Sequence, residues 1–300
     1  MTNYYGRTQS VLTQSARATL SVQVASGTHP GRVRNLNEDS LKVVVRPAGQ
    51  HEGAALLIVA DGMGGHRGGD IASMIAVETI ADSLSWLIDV PDNDTLAPNR
   101  AIESVLNRFD TEYTPQTSAT FLEMHLAMAI EKANRNIYAY ARRNPSSAGN
   151  LGTTVTCALV IGTKALIANV GDSRTYLMRD DALYLLTTDH SLVNMLVELG
   201  QIEQKDIYDH PNRHLVTRSL GSPDTEYPDI KALTLRDGDR LLLCSDGLWE
   251  PLRDSAEFQY QFNHPHIPVG VENLIKLANK AGGPDNISVI LAEMILTKPT

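Results

Sequence analysis

Five places in this sequence put acids where acids are expensive. Asp61 ends the apolar run ALLIVA, Asp172 follows ALIANVG and Asp246 follows RLLLCS. Asp285 immediately precedes NISVILAEMIL, and the pair Glu38 and Asp39 sits just before SLKVVV. A carboxylate abutting a buried strand is costly unless it is paired or bound to a cation. One such residue reads as a turn; a whole set, mostly beside glycine, reads as a site. No matching Arg or Lys adjoins these positions to pair with them. Oxygen-only sets suit hard divalent cations, Mg²⁺ or Mn²⁺, whereas zinc would call for His and Cys ligands. If Glu38 and Asp39 are extended they face opposite sides, so one binds a given metal directly and the other orients a metal-bound water.

The glycines after Asp61, in DGMGGHRGG, fit the same chemistry. Gly62, Gly64 and Gly65 let the backbone pass close to an ion, so that a main-chain carbonyl can serve as a ligand. The stretch matches neither a P-loop nor a dinucleotide fingerprint.

Elements that could hold these residues follow from periodicity. Strand-like runs rich in Val, Ile and Leu cover 19–25, 41–45, 54–60, 153–161, 165–170, 174–178, 183–187, 240–244 and 287–296. The gaps within 153–187 are too short for crossover helices, so that region reads as an antiparallel meander. Helical period marks 69–88, 119–143 and 268–281, with shorter helices at 98–110 and 191–200. Strands and helices are grouped rather than alternating, which favours α+β layering in one domain, 19–300, after a short extension, 1–18.

The 300 residues are 42% hydrophobic and 20% charged, enough for a sizeable core. A net charge of −9 without a dense basic block argues against nucleic acid. No uninterrupted apolar run approaches the roughly 18 residues of a bilayer span, so no membrane partner is expected. Cys157 and Cys244 each lie inside an apolar run and read as buried reduced thiols, with the cytoplasm as the expected compartment.

The ordered set RNLNEDS, VADGMGGHRGG, GTTVTCALV, NVGDSRTYL, TTDHS, VTRSLG, CSDGLWE and GGPDNISVIL resembles the metal-dependent Ser/Thr protein phosphatases of the PPM or type 2C class. The motifs run from about residue 20 to 295 in the family's order, and DGMGGH is similar to the bacterial branch. The resemblance implies a central antiparallel β-sandwich flanked by helices on both faces, with two Mn²⁺ or Mg²⁺ ions at one end. It implies that Asp61 bridges the metals, that the Gly62 carbonyl and Glu38 complete one, and that Asp246 and Asp285 hold the other. Asp172, with Asp246, would hold a third, weaker ion. Asp39 would orient water and Arg34 would bind the substrate phosphate. A metal-bridging hydroxide would then attack phosphorus in line, without a phosphoenzyme. Neither cysteine sits in a Cys-x5-Arg arrangement, so a thiolate route is not supported.

One position departs from the family. Eukaryotic members carry a histidine as candidate proton donor where this sequence has Met63; His66 or a metal-bound water would then protonate the leaving group. His190 and the pair Thr153 and Thr154 read as structural. Residues 191–225 resemble the family's flap, whose Arg213 and Arg218 either meet acidic or phosphorylated partners or lie in a solvated loop. The expectation is a monomeric phosphatase of phosphoproteins. The alternatives are a phosphatase-like binding module, or the same fold acting on small phosphoesters or anti-anti-sigma regulators.

Overall fold

The structure, a computed structural model, describes residues 19–46, 53–64, 68–88, 115–145, 151–223 and 227–297. The extension 1–18 and the expected helix at 98–110 lie outside the described residues. Two five-stranded antiparallel sheets form the centre. One runs in the order β1 (Thr19–His29), β12 (Ile287–Thr297), β11 (Arg240–Cys244), β8 (Arg174–Arg179), β9 (Ala182–Leu185). The other runs β10 (Asp229–Thr234), β7 (Lys164–Val170), β6 (Val155–Ile161), β3 (Ala54–Ala60), β2 (Ser40–Arg46). A two-residue pair, β4 (Gly62–Met63) with β5 (Gly152–Thr153), sits at one end.

Alternation along the strands explains the layers. In β3, Leu56, Ile58 and Ala60 pack with α1 (Gly69–Ile88) and α2 (Pro115–Arg143), while Ala55, Leu57 and Val59 face the other sheet. In β11, Leu242 and Cys244 pack with α4 (Asp246–Leu252), α5 (Ala256–Phe262) and α6 (Ile267–Lys280), while Leu241 and Leu243 turn inward. Strands covered on both faces bury every residue, which is why they read as unbroken apolar runs rather than alternating ones. The two thiols lie in different outer layers, both free and buried, and burial pushes the Cys157 thiol up to about 12.

Three differences from the sequence reading have physical causes. Strand β10 was missed because it is a largely exposed edge with no apolar run. Helix α4 was missed because it has only seven residues and carries Pro251, so its helical form rests on burial of Leu248, Trp249 and Leu252. Helix α1 has 20 residues and a mean hydropathy of 1.5 over its most apolar window, long and apolar enough to cross a bilayer although polar residues interrupt its sequence. Here eight of its ten buried residues pack into the core with the sheet and α2.

Candidate active site

Antiparallel pairing collects the acids. Ser40 at the start of β2 pairs with Ala60 at the end of β3, and Val155 at the start of β6 pairs with Val170 at the end of β7. In the second sheet, Cys244 at the end of β11 pairs with Val289 near the start of β12 and with Arg174 at the start of β8. Every acid singled out in the sequence flanks one of these ends, so all of them emerge at the same end of the sandwich. There they edge a cleft of about 510 Å³ lined by Arg34, Glu38, Asp61, Asp172, Asp246 and Asp285, together with Gly62 and Met63. Asp39 is not in the lining. It is 8% exposed beneath the cleft, with Oδ2 accepting from Ser245 Oγ at 2.8 Å, consistent with the opposed directions of an extended Glu–Asp pair.

The backbone at Asp61 is gripped. Asp61 N–H donates to Thr154 Oγ1 at 3.1 Å, and its carbonyl accepts from Thr154 N–H and Thr153 Oγ1, both at 2.9 Å. Gly62 meets a closer constraint than an ion. A Cβ there would lie 2.1 Å from the Gly69 carbonyl oxygen and 2.4 Å from that of Glu38, so glycine lets three chain segments touch. Gly247 does the same against the Asn286 carbonyl oxygen, 2.0 Å from its missing Cβ.

Asn286 ties the site together. Its Oδ1 accepts from Glu38 N–H at 2.7 Å, and its Nδ2 donates to the carbonyls of Leu36 at 2.8 Å and Pro30 at 3.0 Å. One carboxamide therefore fixes both ends of the loop that carries Arg34. Asn286, Ser245 and Ser73, whose Oγ donates to the Glu38 carbonyl at 2.6 Å, were missed in the sequence. They work across segments far apart in the chain, and no local pattern marks them.

The site is electrostatically unbalanced. Burial raises the pKa of Asp61, Asp246, Asp39 and Asp172, and neighbouring carboxylates raise each further; Asp39 reaches about 6 and Asp172 about 7. Glu38 Oε1, Asp39 Oδ1 and Asp246 Oδ1 are buried without any hydrogen-bond partner. The sequence suggested that no cation adjoined the set, but Arg34 donates to Asp285 Oδ2 at 2.7 Å across 251 residues. Arg213, also in the cleft lining, is bonded to Glu250, so Glu38, Asp61 and Asp246 are left with no guanidinium hydrogen bond among the described residues. Unpartnered carboxylate oxygens gathered at one end of the sandwich, with no cysteine in the cleft lining, are the donor set that hard divalent cations take.

The rim adds one residue that was legible and was overlooked. Glu250 stands four residues after Asp246 on α4, a spacing that shares a helix face, and it lines the cleft. His214, Asp246 and Glu250 bring ligand atoms within 4.8 Å of one another. The flap leads away through α3 (Leu192–Glu198) and a 3-10 turn (Gln204–Asp209), then returns by a bridge between Ser191 and Val216. Its arginines are engaged within the chain. Arg213 Nε donates to Glu250 Oε1 at 2.6 Å, and Arg218 pairs with Asp229 and the Tyr227 carbonyl. His190 accepts from Gly171 N–H at Nδ1, 3.0 Å, which steadies the turn bearing Asp172. His66 lies outside the described residues.

Comparison with known proteins agrees with this fold. The family model described as protein phosphatase 2C matches residues 26–276. The chain belongs to the protein phosphatase 2C family. It is 34% identical over 280 residues to the serine/threonine protein phosphatase PstP of Mycobacterium tuberculosis, covering 93% of this chain and 46% of that protein. It is 34% identical over 271 residues to the serine/threonine phosphatase stp of Listeria monocytogenes, covering 90% of this chain and 95% of that protein. The solved catalytic domain of PstP, in complex with two manganese ions, matches with a TM-score of 0.71 at 31% identity, over 92% of this chain and 100% of that one. The chain thus spans about half the length of PstP and nearly all of the Listeria phosphatase.

Proposed function

We propose that this chain hydrolyses phosphoserine and phosphothreonine in proteins, using two divalent cations, Mn²⁺ or Mg²⁺, held in the carboxylate cleft. The observation that carries the reading is the set of acids with unpartnered buried oxygens converging at one cleft, beside Arg34. Glu38, Asp61 and the Gly62 carbonyl would hold one ion, Asp61, Asp246 and Asp285 the other, and Asp172 with Asp246 a weaker third. Such ions, when bound, acidify water and offset charge on phosphate oxygens.

The chain's own groups do the rest. Asp39 Oδ2 is occupied by Ser245, which leaves the unpartnered Oδ1 to accept a proton from water entering the cleft. Arg34 is half exposed at the rim, so exchanging Asp285 for a phosphate costs little burial, and its planar fork matches two phosphate oxygens. Met63 has no proton to give, so His66 is our proposed donor to the leaving alkoxide. Two free, buried thiols support a reducing, cytoplasmic setting and a signalling role opposite Ser/Thr kinases.

The test is hydrolysis of a phosphothreonine peptide by wild type and Asp246→Ala, in Mn²⁺ and in EDTA. Turnover that needs the metal and collapses in the variant is expected. No turnover by wild type in any divalent metal would overturn the enzyme reading in favour of a binding module. Turnover of p-nitrophenyl phosphate but not of the peptide would favour small phosphoesters.

A further inference from the structure

The loop between β1 and β2 carries two arginines, and they serve different clefts. Arg34 lines the carboxylate cleft, while Arg32 lines a separate groove of about 570 Å³ between the end of β1 and α6, with His29, Ile275 and Lys276. We propose that this groove binds an acidic side chain of the phosphoprotein substrate, a few residues from the one being dephosphorylated. The inference rests on the function proposed above and names a specificity site for it.

Three donor residues line the groove, Arg32, His29 and Lys276. Arg32 has no ion-pair partner among the described residues. Its backbone N–H donates to the Gly283 carbonyl at 2.8 Å, and a Cβ on Gly283 would sit 3.2 Å from its Cγ, so the root of the side chain is packed while its head is exposed. Gly31 N–H donates to His29 Nδ1 at 2.9 Å, which leaves the ring proton on Nε2 as a donor. Lys276 meets Glu272 at 3.3 Å, but both side chains are about 70% exposed, and such pairs hold weakly. Glu272 is the one acid among the described lining residues, so the groove is net positive on a chain of net charge −9.

Continuity with the cleft supplies the rest. Asn286 holds the loop at Pro30 and Leu36, so Arg32 and Arg34 keep a fixed relation. Val33 stands between them, 67% exposed. An extended peptide advances roughly 3.3–3.6 Å per residue, so one with its phosphate at Arg34 would cross Val33 and present a side chain about two to four residues away to Arg32.

The experiment measures KM and kcat for three phosphothreonine peptides: one with neutral flanks, one with glutamates two and three residues before the phosphothreonine, and one with them two and three residues after. One acidic peptide is expected to show a KM about fivefold below the neutral peptide, the upper range for exposed ion pairs. Arg32→Ala and Lys276→Ala should each erode that advantage, Arg32→Lys should keep much of it, and 0.5 M NaCl should remove it by screening. The three peptides having equal KM with wild type would overturn the inference and leave the phosphatase reading standing. So would an equal rise in KM for the neutral peptide in Arg32→Ala, which would mean a distorted loop. No turnover of any peptide would overturn both.

Discussion

Two clusters of buried charge lie side by side in this molecule, and they are built on opposite rules. Beneath α4, Arg174 donates to both oxygens of Asp189 and to the Tyr176 hydroxyl, and its guanidinium lies 3.5 Å over the Trp249 ring. In the cleft, the acids repel one another and keep unpartnered oxygens. Trp249 joins the two, donating Nε1–H to the Asp172 carbonyl at 3.0 Å. A charge bought out of water by its partner is architecture; a charge left without one is a site that a ligand completes. Removing a member should therefore cost stability in the first cluster and activity in the second.

The largest effect should fall on the compensated cluster. Arg174→Ala leaves Asp189 buried and unpaired, and such losses cost about 3–5 kcal/mol. Urea unfolding should show it, and a loss below about 1 kcal/mol would mean that water reaches Asp189 and the pair is not structural. Asp246→Asn should do the reverse. Activity on a phosphothreonine peptide should fall by roughly a hundred- to thousandfold, the range for losing one electrostatic partner of a transition state. The metal-free protein should be at least as stable as wild type, because a repelling charge has gone. Destabilisation in EDTA would break the contrast.

Cations should stabilise only where charge is unbalanced. Mn²⁺ at a hundred times its dissociation constant should add about 2.7 kcal/mol of stability. In Asp246→Asn the gain should shrink, whereas a stable variant of Asp189 or Arg174 should keep most of it. Calorimetric melts of each protein with and without Mn²⁺ measure the difference.

What the sequence revealed follows the same division. The acids were legible because a carboxylate at the end of an apolar run is visible over a few residues, and Asp61, Asp172, Asp246 and Asp285 all line one cleft. The sandwich was legible because double burial writes itself as unbroken apolar runs. Gly62 was legible as a glycine that lets backbone come close, but not the segments it admits, the Gly69 and Glu38 carbonyls. Ser245 and Asn286 were invisible because they act through space, Ser245 on Asp39 across 206 residues and Asn286 on Leu36 across 250. The Arg34–Asp285 pair escaped for the same reason, as a neighbour in space that the chain order hides.

The finest test of the contrast is a slope in pH. Asp39 and Asp172 hold their protons up to about 6 and about 7 in the folded chain without metal, whereas an unfolded aspartate releases its proton near 4. Between those values the folded state binds more protons than the unfolded one, so stability falls as pH rises, by up to about 1.4 kcal/mol per pH unit for each proton retained. Below about pH 4 both states are protonated and the penalty is absent; above about 7 it is fully developed for this pair. Burial also raises Asp61 and Asp246, so the informative quantity is the difference between wild type and Asp172→Asn in EDTA. Wild type should lose ground to the variant steadily from pH 5 to pH 7. Saturating Mn²⁺ should flatten that difference, because cations then hold the oxygens that protons held. Parallel curves in EDTA would mean that Asp172 titrates alike in both states, and the cleft would then be as well compensated as the cluster beneath it.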